Sequence, residues 1–515
     1  MRQSFVEPGT EEAFDVAIVG YGPTGAVLAH LLGLCGVRTL VLEREPAPYP
    51  LPRAIVFDDE AMRVFQWVGI ADRLEPLTAP HPGMRFVDRE GRLLLDWPRP
   101  QSPGLHGWRP NYRFYQPDLE RLLREEMAAR PTVTVRTRCE AFLARDDGDH
   151  VHLRYENMAN GRVHRVRARY VVGCDGARSL IRRFIESPMT DHGFHERWLV
   201  VDMLLKRDMP ELGDHSVQHC DPEQPMTYVR GPFNRRRWEM AVPDDADSAI
   251  VSSPPEVWKR LARWITPDDA EIERTAVYTF HSLVATRWRQ GRLLIAGDAA
   301  HQTPPFMGQG MCTGIRDAAN LGWKLALACR GIGGERLLDS YQSERLPHAT
   351  EYIRTAVRLG GLINTAGTET ALRAAMPDAG GGAKMESIQP PLGPGLGEGP
   401  HRGRLFGQPK LADGTPMDRT VGHVFVLVCS HDLAAEIALP EGVALVTTQN
   451  APDVAAHLAR FGTRAALLRP DRFVLGTAGT AQATADLLSR LLPSARPPRP
   501  SAPGLLPERA SQEGS

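Results

Sequence analysis

The sequence predicts an α/β chain, α+β overall, in which a Rossmann-like nucleotide-binding domain is interrupted by a mainly antiparallel sheet and followed by a separate C-terminal module. Three observations predict it. An apolar run, Asp15 to Val19, leads into Gly20-Tyr21-Gly22-Pro23-Thr24-Gly25 and then into an apolar helical pattern through Leu34. Between residues 186 and 285, short β-type runs are separated by Pro, Gly and Asn turns. Beyond a Pro- and Gly-rich stretch, alternating β-like runs resume near Leu405.

At 515 residues the chain is long enough for several packed domains with a buried site between them. With 42% hydrophobic and 24% charged residues it is neither disordered nor fibrous. A formal net charge of -1 without blocks of one sign offers no footprint for nucleic acid or an anionic membrane, so a small molecule is the expected partner. No apolar run approaches the roughly 20 residues of a membrane span. The polar stretch Met1 to Phe14 lacks the basic start and apolar core of a secretory signal. The seven cysteines are scattered, without a C-x-x-C pair or metal-ligand spacing, as in a reduced, cytoplasmic protein with no metal.

In order along the chain, residues 1–14 form a polar arm and residues 15–185 the first part of the nucleotide-binding domain. The β-α-β unit there ends with the strand Arg38 to Leu42 and the acidic Glu43. A further strand, Arg169 to Cys174, ends at Asp-Gly. Residues 186–285 form the inserted sheet, with strands at Trp198 to Leu205, Met226 to Arg230, Arg237 to Val242 and Ala276 to His281. Residues 286–375 return to the nucleotide-binding domain with the strand Arg292 to Ala296 and helices over Ile315 to Cys329 and Leu337 to Leu362. Residues 376–404, including Gly380-Gly381-Gly382, read as a linker and residues 405–493 as the C-terminal module. Residues 494–515 are Pro- and Ser-rich and expected to be disordered.

Each glycine of the first turn has its own physical task. Gly20 permits the tight turn, Gly22 lets backbone N–H groups approach a pyrophosphate, and Gly25 allows close helix–strand packing. The helix N-terminus faces the phosphate charge, and Glu43 can accept hydrogen bonds from an adenosine ribose. The neighbouring Arg44 is either a cofactor contact or an ordinary surface charge.

Two later blocks specify the dinucleotide. Asp175-Gly176-Ala177-Arg178-Ser179-Leu180-Ile181-Arg182 and Gly297-Asp298-Ala299-Ala300-His301 follow the glycine turn in an order that resembles the class A flavoprotein monooxygenases. The resemblance implies FAD as cofactor, NADH or NADPH as reductant, and a phenolic substrate hydroxylated with dioxygen. It assigns the Asp175–Gly176 block to FAD and nicotinamide binding, with Arg182 either a lock on the loop or a nicotinamide contact. It places Gly297 and Asp298 at the ribityl chain, and Gly308, Gly310 and Met311 at the flavin edge, where a helix N-terminus stabilises negative charge. Arg53, within Pro52-Arg53-Ala54, and Gln116 match positions near the FAD.

Over most of its length the chain resembles the 3-(3-hydroxyphenyl)propionate and 3-hydroxycinnamic acid hydroxylases. Pro52-Arg53-Ala54-Ile55, Asn234-Arg235-Arg236-Arg237-Trp238-Glu239 and Tyr278-Thr279-Phe280-His281 carry this likeness. It implies ortho-hydroxylation to 2,3-dihydroxy products in aromatic catabolism. His281 and Tyr228 are candidates for a group beside the phenol, Pro304 for the reaction centre, and Arg230 or one of Arg235 to Arg237 for a substrate carboxylate. The C-terminal module resembles the thioredoxin-like appendage of phenol hydroxylases. With Cys429 alone it has no dithiol, which leaves a packing or homodimerisation role. Among rivals, a disulfide reductase needs a cysteine pair where Cys35 stands alone, and a halogenase needs a Trp-x-Trp-x-Ile-Pro block that does not occur. A hydroxylase of polyketide or other secondary-metabolite phenols stays open.

Overall fold

A computed structural model describes residues 11–364 and 387–491. The expected glycine run Gly380 to Gly382 and the tail 494–515 lie outside the described residues, as does most of the N-terminal arm.

The nucleotide-binding half is an eight-stranded sheet. Its first strand, Glu12–Val19, lies at the centre, parallel to Thr39–Leu42 on one side and Arg162–Gly173 on the other. Val133–Arg136 and Leu293–Ile295 extend the parallel array outward. Both faces are covered at the centre of the array, so Val16 to Val19, Thr39–Leu42 and Leu293–Ile295 are buried, and continuous apolar runs are the result. The helices Pro23–Leu34 and Gly310–Cys329 pack together, with Gly322 set against Leu31. An antiparallel pair, Cys139–Asp146 and Val151–Asn157, hangs on the strand Arg162–Gly173. This pair was missed from the sequence because its outward positions are charged and only alternate positions are buried.

The second eight-stranded sheet is antiparallel but for one pair, as expected, yet wider than residues 186–285. It takes the hairpin Gly83–Val87 and Leu93–Pro98 from far upstream at one edge, and the short strand His301–Gln302 at the other. One face packs on the helix Pro254–Leu261 through Tyr228, Trp238 and Met240. The other face is turned toward the nucleotide-binding half.

The C-terminal module has four strands in the order Val443–Thr447, Phe425–Cys429, Ala465–Leu468, Val474–Ala478, the first pair parallel and the rest antiparallel. That arrangement is thioredoxin-like. The irregular chain before it is pressed onto the helix Gly334–Asn364: a Cβ at Gly393 would lie 2.1 Å from Pro347, and one at Gly395 would lie 2.3 Å from Glu344. Buried ion pairs join the module to the rest, with Arg63 to Asp418 at 2.6 Å and Arg469 to Glu344 at 2.8 Å. Among the described residues no helix is long and apolar enough to cross a membrane.

Candidate active site

Between the two large sheets lies a cavity of about 490 Å³ that runs from the glycine turn to the open face of the second sheet. The glycines of that turn separate by function. Gly20 has φ +101°, and a Cβ there would meet the Cys174 carbonyl oxygen at 2.3 Å; at Gly25 it would meet the Gly20 carbonyl oxygen at 2.1 Å. Both are demanded by packing. Gly22 instead lines the cavity, and a Cβ on it would meet nothing within 4 Å. Its bare Cα stands at the N-terminus of Pro23–Leu34, where backbone N–H groups and the helix dipole favour an anion.

Glu43 closes this turn from behind, accepting from Tyr21 N–H at 2.7 Å and Glu45 N–H at 2.9 Å. Arg44 points to solvent beside Glu45. Arg53 lines the cavity with its guanidinium 5.1 Å from the Tyr49 ring centroid. Gln116, also on the wall, fixes the Arg53 segment by accepting from Arg53 and Ala54 N–H at 3.1 and 2.7 Å.

Asp175 caps the short helix Leu180–Phe184, accepting from Leu180 N–H at 2.6 Å, while Gly176 and Ala177 face the cavity. Arg182 donates to the carbonyls of Ala299 at 2.9 Å and Ala177 at 2.6 Å, tying the Asp-Gly block to the Gly-Asp block. Its guanidinium is therefore engaged in a lock. Gly297 has φ +62° and donates its N–H to Asp317 at 2.9 Å. Asp298 reaches into the cavity with no hydrogen-bond partner among the described residues, and burial raises its pKa. An acceptor so placed fits a polyol. Gly308 has φ +64°, and a Cβ there would strike Val56 at 2.1 Å. Gly310 and Met311 begin the twenty-residue helix Gly310–Cys329, whose N-terminus opens on the same space. The bare Gly22, the unpartnered Asp298 and the two helix N-termini together suit FAD.

The floor opposite is made by alternate residues of the second sheet. One row of strand partners runs Gln218, Thr227, Glu239, Val200, and the next runs Val229, Arg237, Asp202, Arg274. Arg237 bonds Asp202 at 2.7 Å and the carbonyls of Arg53 and Pro52, and Arg274 shares Asp202 at 2.8 Å. Burial opposes the charge on Arg237, but Asp202 and Glu239 outweigh it and its pKa is raised. Glu239 goes the other way, pushed up by burial despite Arg237 at 3.6 Å.

The candidates for the chemistry part company here. His281 is on the cavity wall, its Nδ1 2.7 Å from His195 Nδ1, and His195 Nε2 lies 2.5 Å from Asp191. Burial, then His195, lower the His281 pKa, so the ring is a neutral base with a line of exchangeable groups leading outward. Tyr228 is one residue out of phase with Thr227 and Val229. Its ring therefore lies on the far face against Trp238, at 5.0 Å between centroids, and the structure does not bring it to the cavity. Pro304 is buried behind the loop, whose wall residues are Thr303 and Pro305.

The arginines considered for a substrate carboxylate are likewise occupied. Arg230 pairs with Asp214 at 2.7 Å, Arg235 pairs with Glu273 at 2.6 Å, Arg236 is bound to the Phe233 and Arg235 carbonyls, and Arg237 is saturated as above. Unforeseen wall residues are Arg99, Trp97, His81 and Ser216, all at the upstream-hairpin edge of the sheet. Burial alternates along Ser216-Val217-Gln218-His219, but the buried positions are the polar Ser216 and Gln218, so no polar–apolar alternation marked this strand in the sequence.

Residues 13–356 match the family model described as FAD binding domain. The chain belongs to that family, the FAD-dependent monooxygenases, and is a flavin-dependent aromatic hydroxylase. It is similar, at 38% identity over 96% of its length and 99% of the relative's, to a "Probable NADH-specific resorcinol 4-hydroxylase" of Rhodococcus jostii (strain RHA1). It is 37% identical to a "3-(3-hydroxy-phenyl)propionate/3-hydroxycinnamic acid hydroxylase" of Mycobacterium avium (strain 104), over 70% of this chain but only 63% of that relative. Among solved structures, the flavin-dependent monooxygenase PieE, in complex with FAD and substrate, superposes with a TM-score of 0.80 at 22% identity, covering 93% of this chain and 98% of that one.

Proposed function

We propose that this protein hydroxylates a phenol bearing a second substituent meta to its hydroxyl, at a position ortho to that hydroxyl, using NADH and dioxygen. The substrates put forward are 3-(3-hydroxyphenyl)propionate and 3-hydroxycinnamate, giving 2,3-dihydroxy products. The observation that carries this is the continuity of the cavity: the phosphate-binding turn at Gly22 and the polar floor of Gln218, Thr227 and Glu239 line one continuous space.

When bound, FAD would supply the redox chemistry between NADH, dioxygen and the substrate ring. Gly22 and the first helix would hold its pyrophosphate, Asp298 its polyol, and Gly310 with the helix behind it would favour negative charge on the ring. The protein positions the phenol, excludes water with the apolar members of the wall, and takes up the phenol proton at His281, which raises the nucleophilicity of the ring. The printed names of the relatives support this: both describe rings with a hydroxyl and a second group meta to it. Resorcinol is the second candidate, favoured because that relative is matched over nearly its whole length.

The test is oxygen uptake and NADH oxidation by the purified protein across a panel of hydroxyphenyl acids, resorcinol and larger polycyclic phenols, with mass analysis of products. A yellow protein whose NADH oxidation is stimulated by a meta-substituted phenol, with one oxygen added to give a catechol or triol, is expected. A colourless protein, or turnover of polycyclic phenols alone, overturns it.

A further inference from the structure

Two cations on the cavity wall, Arg53 and Arg99, have guanidinium groups with no acceptor among the described residues; Arg53 lies at the cofactor end beside Gln116, and Arg99 at the hairpin edge of the second sheet. Arg99 follows the strand Leu93–Pro98, and its guanidinium lies 3.9 Å from the Trp97 ring centroid. The stack fixes the plane of the group without using any of its five N–H donors. Among the described residues none offers that guanidinium a hydrogen-bond acceptor or an ion pair. The carboxylates whose charge acts on it, Asp58 and Asp59, are bonded elsewhere. Asp58 binds Arg316 at 2.5 Å and caps Ala61 at 3.0 Å, and Asp59 binds His106 at 3.0 Å. Arg230, Arg235, Arg236 and Arg237 each have an acidic or carbonyl partner, which leaves Arg99 as the uncommitted cation at the substrate end of the wall.

Its surroundings suit an anion. His81 accepts Gly83 N–H on Nδ1 at 3.2 Å, so the proton sits on Nε2 and is donated to Ser216 Oγ, also at 3.2 Å. Burial and then the Arg113 and Arg99 charges hold His81 neutral, with its pKa lowered to about 3. The hydroxyl of Ser216, with its acceptor role filled by His81, retains a proton to give toward the cavity. Burial also lowers Arg99 itself to about 9, a strain that a bound anion relieves.

On the reading that this is a hydroxylase of meta-substituted phenols, we propose that Arg99, seated on Trp97 and seconded by Ser216, is the specificity-determining residue that binds a carboxylate on the substrate's side chain. The polar rows of the sheet floor then receive the ring, and the side chain points to the hairpin edge. A phenol with no anionic group leaves Arg99 unmatched.

The experiment compares 3-(3-hydroxyphenyl)propionate with its neutral analogue 3-(3-hydroxyphenyl)propan-1-ol and with resorcinol, in the FAD-loaded wild type, Arg99→Met and Arg99→Lys. Binding is read by calorimetry without NADH, and turnover by product formation. Bound flavin per chain reports that each variant has folded. The acid is expected to bind the wild type more tightly than the alcohol, and Arg99→Met to raise Kd and KM for the acid by about 30-fold or more. The same variant should leave values for the alcohol and resorcinol within about threefold, with Arg99→Lys recovering part of the loss. Equal losses for acid and neutral ligands, or a wild type that binds the alcohol as well as the acid, overturn the assignment. Failure of the wild type to hydroxylate any of the three overturns the functional reading instead, since the calorimetric comparison still reports on Arg99.

Discussion

At the scale of single residues, three glycines within one short turn, Gly20, Gly22 and Gly25, do unlike work. Gly20 and Gly25 are fixed by backbone approach, whereas Gly22 is fixed only by what the cavity must hold. Gly20→Ala should cost about 2–4 kcal/mol in chemical denaturation, through a forced positive φ and a backbone clash. Gly22→Ala should change stability by less than about 0.5 kcal/mol, because no atom opposes the new methyl. It should nonetheless weaken FAD retention by about tenfold or more, since the methyl stands where the pyrophosphate approaches. Loss of stability without loss of flavin in Gly22→Ala would refute this division. The sequence spacing revealed that these glycines form a nucleotide turn; it did not reveal Arg99, because an arginine between Pro98 and Pro100 reads as surface charge until the hairpin that carries it is paired.

Among the elements, registry decides what each side chain can do. Tyr228 and Thr227 are neighbours in sequence and opposites in space, so Tyr228→Phe should keep kcat and KM within about twofold. A larger fall in kcat with unchanged unfolding behaviour would return Tyr228 to the reaction. Strand existence was readable from β-branched and aromatic runs, and the partners of Tyr228 are the nearby Val217 and Trp238, but which face of the sheet meets the nucleotide-binding half is set by packing between domains, which no local pattern encodes. Arg182 illustrates the same limit. The sequence left lock and nicotinamide contact open, and only the folded loops show both donors facing the Ala177 and Ala299 carbonyls. Arg182→Met should lower stability by about 1–3 kcal/mol and loosen FAD. A raised KM for NADH at unchanged stability and flavin content would mark it instead as a nicotinamide contact.

For the whole molecule, the C-terminal module is held by charges sealed inside its contact. Glu344 meets Lys324 at 2.7 Å and Arg469 at 2.8 Å, and all three are fully buried. Burial pushes the Glu344 pKa up, but Arg469 and Lys324 outweigh it and hold it down to about 2, from an ordinary 4.5. The folded value is depressed, so its contribution is complete above pH 4.5 and is lost as pH falls toward 2. Glu344→Gln should therefore cost about 3 kcal/mol or more at neutral pH by stranding buried cations. It should also flatten the wild-type decline in stability over that acid window, measured by urea unfolding at several pH values. An unchanged acid slope would show that the contact is not held by Glu344. The existence of the module was visible in the renewed β-like runs after the linker. Its docking was not, because Arg469, Asp418 and Glu344 are charged residues whose burial only the assembled molecule requires.

The second sheet draws its edge hairpin, Gly83–Pro98, from long before its other strands, and the partner of that hairpin, Ser216–His219, comes much later. During synthesis the hairpin must wait on the order of ten seconds with an open edge before its neighbour leaves the ribosome. The wall carrying Arg99 closes only then, and the helix that begins at Gly310 is made later still. The polypeptide therefore cannot load its prosthetic group early, and cells short of riboflavin should accumulate the released, full-length apoprotein as a protease-sensitive form.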